Sequence, residues 1–169
     1  MREINFERRI VMSEKINDYL KKELIINKLD ADNREDIFKA SFKLLYSHGF
    51  VKKSFLDGLI KREETFPTGL RIGKYNVAIP HTDSIHVLSP AISVITLKRP
   101  VEFRCMDGDG KVSAKIIFTM ALDKPHSQVV MLQQLMYLIQ NQSLLEEVFE
   151  QNSTDAIYDT LANTKINIG

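Results

Sequence analysis

Apolar positions along this chain follow two rhythms, and the change between them falls after Pro67. Before that point the spacing is helical. Ile16, Tyr19, Leu20 and Leu24 predict a first helix over Ser13–Leu24, although Leu24-Ile25-Ile26 equally suits a short strand. Asp32 with Glu35 three residues on has the form of a capping box, and Ile37, Phe38, Phe42, Leu44 and Leu45 make the apolar stripe of a second helix. Gly49 supplies its stop. Ser54–Lys61 begins a third helix, with Asp57 as capping partner and Phe55, Leu56, Leu59 and Ile60 available for burial; it has to end before Pro67.

Beyond Pro67 the runs are short, apolar and β-branched. Asn76–Ile79, Ala91–Leu97 and Lys115–Leu122 read as buried strands. Helical spacing returns over Lys124–Gln140, where Pro125 fits a first helical position and Val129, Leu132, Leu135, Met136 and Ile139 form one face. Ser143 with Glu146 opens another helix, and Ser153 or Thr154 a last one. Helices followed by strands interleaved with helices predict an α/β sandwich.

Composition narrows the class without changing the architecture. The 169 residues suit one domain, or one with a short extension, and 44% apolar with 27% charged residues is ordinary for a soluble globular protein. A formal charge of +1 gives no reason to expect a nucleic-acid partner. The single cysteine, Cys105, excludes an internal disulfide and a Cys-rich zinc site, and it suits a reducing cytoplasm. The N-terminal stretch lacks the apolar core of a signal peptide, and no run approaches the roughly 20 apolar residues of a membrane helix. Cytoplasmic work without membrane insertion is the expectation.

Four histidines carry the candidate chemistry. His48 precedes the stop glycine, where a histidine interacts with a helix C-terminus. His81 follows the apolar run Val77-Ala78-Ile79 and Pro80, at the mouth of a predicted strand, where sites in α/β sheets gather. A neutral imidazole is a competent nucleophile toward phosphorus. His126 lies in the first turn after Pro125, where unpaired N–H groups attract anions; an exposed surface histidine is the alternative. Arg62 stands in Lys61-Arg62-Glu63-Glu64, a charge run of the kind that usually forms a solvated face, although its guanidinium is well shaped for phosphate. His81-Thr82-Asp83-Ser84-Ile85-His86 also offers His and Asp ligands for a metallohydrolase, but no HExxH or CxxC accompanies it.

Taken together, Arg62-Glu63-Glu64-Thr65-Phe66-Pro67-Thr68-Gly69-Leu70 and Val77-Ala78-Ile79-Pro80-His81 resemble the active-site region of the type-2 enzyme IIA family. That family belongs to the phosphoenolpyruvate-dependent sugar phosphotransferase system, mannitol/fructose class. Phe66-Pro67-Thr68-Gly69, Ile79-Pro80-His81 and Asp83-Ser84-Ile85-His86 are most similar to galactitol-type members. The resemblance runs from about Asp32 to Ala162, so residues 31–169 are expected to form the IIA domain and residues 1–30 an N-terminal helical extension. It implies a mixed sheet sandwiched by helices, in one compact domain.

It also implies that His81 is the phosphorylated histidine, that Arg62 helps hold the phosphoryl group, and that His126 matches a second site histidine. Thr82 departs from the Gly, Ala or Cys common after the Pro-His pair. The implied function is a phosphoryl carrier. It takes the group from a phosphohistidine carrier protein and passes it to a IIB component, for uptake of a galactitol-like or related sugar. Neither metal nor cofactor is needed. A phosphorylation-dependent regulatory role is the second expectation, and metal-dependent hydrolysis the third.

Overall fold

In a computed structural model, residues 15–164 are described. A five-stranded sheet in the order β1-β4-β5-β3-β2 forms the centre. Its strands are β1 (Leu20–Leu29), β2 (Gly69–Leu70), β3 (Asn76–Ala78), β4 (Ala91–Arg104) and β5 (Lys111–Ala121). β1 runs parallel to β4 and β3 parallel to β5, while β4–β5 and β2–β3 are antiparallel, so the sheet is mixed as expected. Five helices cover it: α1 (Arg34–Ser47), α2 (Phe55–Thr65), α3 (Pro125–Ile139), α4 (Gln142–Glu150) and α5 (Thr154–Ala162).

The sheet divides the core in two. On one face Ile37, Phe38 and Leu45 of α1, with Phe55 and Leu59 of α2, pack on Leu24, Ile95, Phe103 and Ile117. On the other, Met131, Leu135 and Leu138 of α3 join Leu144 and Leu145 of α4 and Ile157 of α5 over Ile25, Val94 and Phe118. Alternate residues of one strand therefore feed opposite layers, and strands covered on both sides read as unbroken apolar runs.

That double coverage explains the first correction. The helix expected over Ser13–Leu24 is, from residue 15 onward, a 3₁₀ turn at Ile16–Asp18 followed by β1; residues 1–14 of the expected extension lie outside the described residues. Leu24 and Ile25 enter opposite layers, and the Ile25↔Val94 and Ile26↔Ile95 registers tie β1 into the sheet. The spacing of Ile16, Tyr19, Leu20 and Leu24 imitated a helical stripe because two short elements lie end to end.

Other boundaries move for local reasons. Asn33, not Asp32, caps α1: its side chain accepts the Asp36 N–H at 2.9 Å, and Asp36 accepts the Asp32 N–H at 3.0 Å. Asn141 caps α4 by accepting from Leu144 at 3.1 Å, two residues before the expected Ser143. β4 runs past Leu97 to Arg104 because a register shift between Thr96 and Val101 accommodates Pro100, which has no N–H to give the ladder. The strands then form a hairpin whose tip holds Gly108 and Gly110, both at φ +82°, a left-handed conformation natural to glycine.

Candidate active site

β3 and β5 run side by side in the same direction, and the chain leaving β3 carries Ile79, Pro80 and His81 across their carboxyl ends. The Met120 N–H donates to the Pro80 carbonyl at 3.0 Å, which pins the peptide before the histidine to β5. His81 is half-buried. Its Nδ1 lies 2.8 Å from the Ile79 carbonyl oxygen. A carbonyl only accepts, so Nδ1 carries the proton and Nε2 holds the free lone pair. Burial pushes the imidazole pKa below its ordinary value; the Ile79 bond opposes this, the Arg62 charge adds to it, and Asp83 opposes it. The ring is thus kept neutral with one defined nucleophilic nitrogen.

α2 brings Arg62 to the same place. The two residues line an open cleft of about 360 Å³ with Thr65, Phe66, Pro67, Thr68, Met106, Asp107, Gly108 and Leu132. The Arg62 guanidinium lies over the Phe66 ring at 4.4 Å, its Nη1 is 3.9 Å from Asp83 Oδ1, and its buried Nε has no hydrogen-bond partner. The carboxylate is largely exposed and the 3.9 Å contact is long, so this ion pair holds the arginine loosely. A cation with spare donors beside a neutral imidazole suits a transferable anionic group.

His126 is placed differently. It stands exposed in the first turn of α3 and is not among the cleft-lining residues. The same helix reaches the site through Gln128 in that turn, whose Nε2 donates to the Thr82 carbonyl at 3.2 Å, and through Leu132 further along, in the cleft wall.

Two features escaped the sequence reading. Glu63 is not on a solvated face: it is 4% exposed, and its two oxygens accept the Thr68 N–H and hydroxyl, each at 2.9 Å. The signal was present, since Phe55, Leu59 and Glu63 recur every four residues on the buried side of α2. Met106, Asp107 and Gly108 were missed because only the folded hairpin delivers them to the cleft.

The remaining candidates have other partners. His48 Nδ1 lies 2.8 Å from the Leu44 carbonyl at the end of α1, and His86 Nδ1 lies 2.8 Å from Ser54 Oγ. That second contact diverts the Ser54 hydroxyl from capping α2. Among the described residues, no three His, Cys, Asp or Glu side chains converge as metal ligands, and no helix is long and apolar enough to cross a membrane.

Residues 18–164 match the family model described as phosphoenolpyruvate-dependent sugar phosphotransferase system, EIIA 2. The chain belongs to this family. As a IIA component it is a phosphoryl carrier of a sugar phosphotransferase system, passing the group by way of a histidine. Among relatives, it is 29% identical over 102 residues to the galactitol-specific EIIA component of Escherichia coli (strain K12), covering 60% of this chain and 68% of that protein. It is 27% identical over 114 residues to the mannitol-specific IIA component of Geobacillus stearothermophilus, covering 66% and 74%. The solved complex of enzyme IIAMTL and phosphorylated enzyme IIBMTL from Escherichia coli shares the fold, with TM-score 0.70 at 21% identity over 86% of this chain and 99% of that one.

Proposed function

We propose that His81 is the phosphoryl carrier of this IIA chain, accepting through Nε2. The observation that carries the assignment is the 2.8 Å bond from Nδ1–H to the Ile79 carbonyl, which leaves Nε2 as the attacking atom. In the transfer, the donor's P–N bond breaks as the Nε2–P bond forms. No proton has to leave Nε2, because it attacks with a lone pair. The positive charge that develops on the ring is shared with Nδ1–H, and the Ile79 carbonyl is already in place to stabilise it.

Arg62 neutralises the phosphoryl oxygens from the α2 side, where its guanidinium lines the cleft and is held only by the long 3.9 Å contact to Asp83. An auxiliary role for His126 rests on the family resemblance and on the Gln128–Thr82 contact that packs its helical turn beside the His81 loop; its side chain stands exposed outside the cleft. The donor is a phosphohistidine carrier protein and the acceptor a IIB component, supported by the family and by the IIA–IIB pairing of the structural relative. A galactitol-like sugar is favoured by the galactitol-specific relative, and a cytoplasmic site of action fits the single, free Cys105.

The test is mass spectrometry after incubation with phosphoenolpyruvate and the general phosphotransferase proteins. One acid-labile, base-stable phosphoryl group is expected on His81 and none in His81→Ala. Arg62→Ala is expected to label on the order of a hundredfold more slowly, with Arg62→Lys restoring only part of the rate. Full labelling of His81→Ala removes His81 from the role. Normal labelling of a folded Arg62→Ala protein leaves Arg62 a surface charge.

A further inference from the structure

Glu63 follows Arg62 on α2 but points the other way, into the protein. A buried carboxylate is costly unless each oxygen is satisfied, and here both are given to one residue, Thr68, through its N–H and its hydroxyl. Burial raises the Glu63 pKa, while the Thr68 bonds and the charges of Arg34 and Arg104 pull it back. The segment so anchored is the strap that leads from α2 into β2.

The strap touches the histidine through two further bonds. The Thr68 carbonyl accepts the Ile79 N–H at 3.2 Å, extending the β2–β3 ladder one step beyond the Gly69↔Ala78 pair. The Ile79 carbonyl in turn accepts Nδ1–H of His81. Pro67 and Thr68 also form part of the cleft wall facing that ring. Hydrogen bonds therefore run without a break from Glu63 through Thr68 and Ile79 to the imidazole.

We propose that Glu63 is a positioning residue for phosphoryl transfer, anchoring the Thr68 strap so that Ile79 holds the His81 ring in one tautomer with Nε2 free. The inference rests on the assignment of His81 as the carrier. Glu63 touches neither the ring nor the cleft, so it acts through geometry and exchanges no proton with the substrate. What matters is a pair of hydrogen bonds to Thr68, not the negative charge. A glutamine can keep both, its carbonyl accepting the Thr68 N–H and its amide donating to the hydroxyl after the hydroxyl proton rotates.

The experiment compares the full chain with Glu63→Gln, Glu63→Ala and Thr68→Val. Two readouts are taken below the melting temperature: the nitrogen NMR shifts of the His81 ring, which report its tautomer, and the rate of transfer to and from His81. Glu63→Gln is expected to retain the Nδ1–H tautomer and a rate close to the unaltered protein's. Glu63→Ala is expected to mix tautomers and to lose about tenfold or more in rate, the scale set by small misplacement of a reacting group. Thr68→Val, which keeps the N–H contact and loses the hydroxyl, is expected to fall between and covers the case in which Glu63→Ala does not fold. An unchanged ring spectrum in both Glu63→Ala and Thr68→Val overturns the positioning role. So does a Glu63→Gln protein as impaired as Glu63→Ala, which would make the charge the active property. Absence of label on His81 in the unaltered chain overturns the carrier assignment instead, and the ring spectra still decide the link from Glu63.

Discussion

At the scale of single residues, the proposed site keeps His81 neutral while giving it a cation for a neighbour. Burial and Arg62 both depress its pKa, against the Ile79 bond and Asp83. The sign for stability follows: below the ordinary histidine pKa of about 6.5 the unfolded chain binds a proton that the folded chain resists, so unfolding gains as pH falls. His81 therefore contributes stability that is present above about pH 6.5 and is lost as pH drops toward its depressed folded value, at a slope no steeper than about 1.4 kcal/mol per pH unit. Urea unfolding between pH 7.5 and 5.5 is expected to show a larger loss in the unaltered protein than in His81→Gln; parallel losses would mean the ring protonates normally. That His81 and Arg62 come together in one cleft was expected from the family resemblance; the residues alone singled out His81 by its strand-end setting and left Arg62 in a run of surface charges. Glu63 was not singled out, because its neighbours Arg62 and Glu64 made it look like one more surface charge, and only burial separates them.

At the scale of elements, α2 must come unusually close to the loop that follows His81, and Gly58 is what permits it. A Cβ there would lie 2.8 Å from Thr82 Oγ1 and 3.0 Å from Cδ2 of the His86 ring. Thr82 is short and buried, so it cannot swing aside. Alanine at this helix position would normally gain about 0.5–1 kcal/mol. Overpacking typically costs about 1–3 kcal/mol, so Gly58→Ala is expected to lower the melting temperature and slow transfer to His81 by pushing the Thr82–His86 loop outward. A stabilised Gly58→Ala protein with normal transfer would show that the loop yields freely. Element type was legible wherever one face stays polar, as in α1, or where turn chemistry punctuates, as at Pro125. β1 was legible only as the short alternative at Leu24-Ile25-Ile26, because Leu24 and Ile25 feed opposite layers while the polar run Lys21-Lys22-Glu23 breaks any strand alternation before them. The hairpin extension past Leu97 was hidden by the exposed Lys98-Arg99-Pro100 run, where the ladder shifts register.

For the whole molecule, the sheet is a partition, and the cleft around His81 is lined from both of its sides. Arg62 arrives on α2, which packs on one face through Phe55 and Leu59. Leu132 and Gln128 arrive on α3, which packs on the other through Met131 and Leu135. His81 sits between them at the carboxyl ends of β3 and β5, so each layer contributes one wall without the core having to pass through the sheet. If the layers are energetically separate, small cavities on opposite sides should add. Ile37 of α1 and Ile139 of α3 are both fully buried, one in each layer. Ile37→Val and Ile139→Val are each expected to cost about 0.5–1.5 kcal/mol. The double variant should then equal the sum of the two within about 0.5 kcal/mol, as for sites that share no partners. Urea midpoints for the four proteins give the cycle, with an unchanged slope as the check that unfolding stays two-state. An interaction energy well above that margin would mean that strain crosses the sheet, and that the walls carrying Arg62 and Leu132 cannot adjust to the phosphoryl group independently.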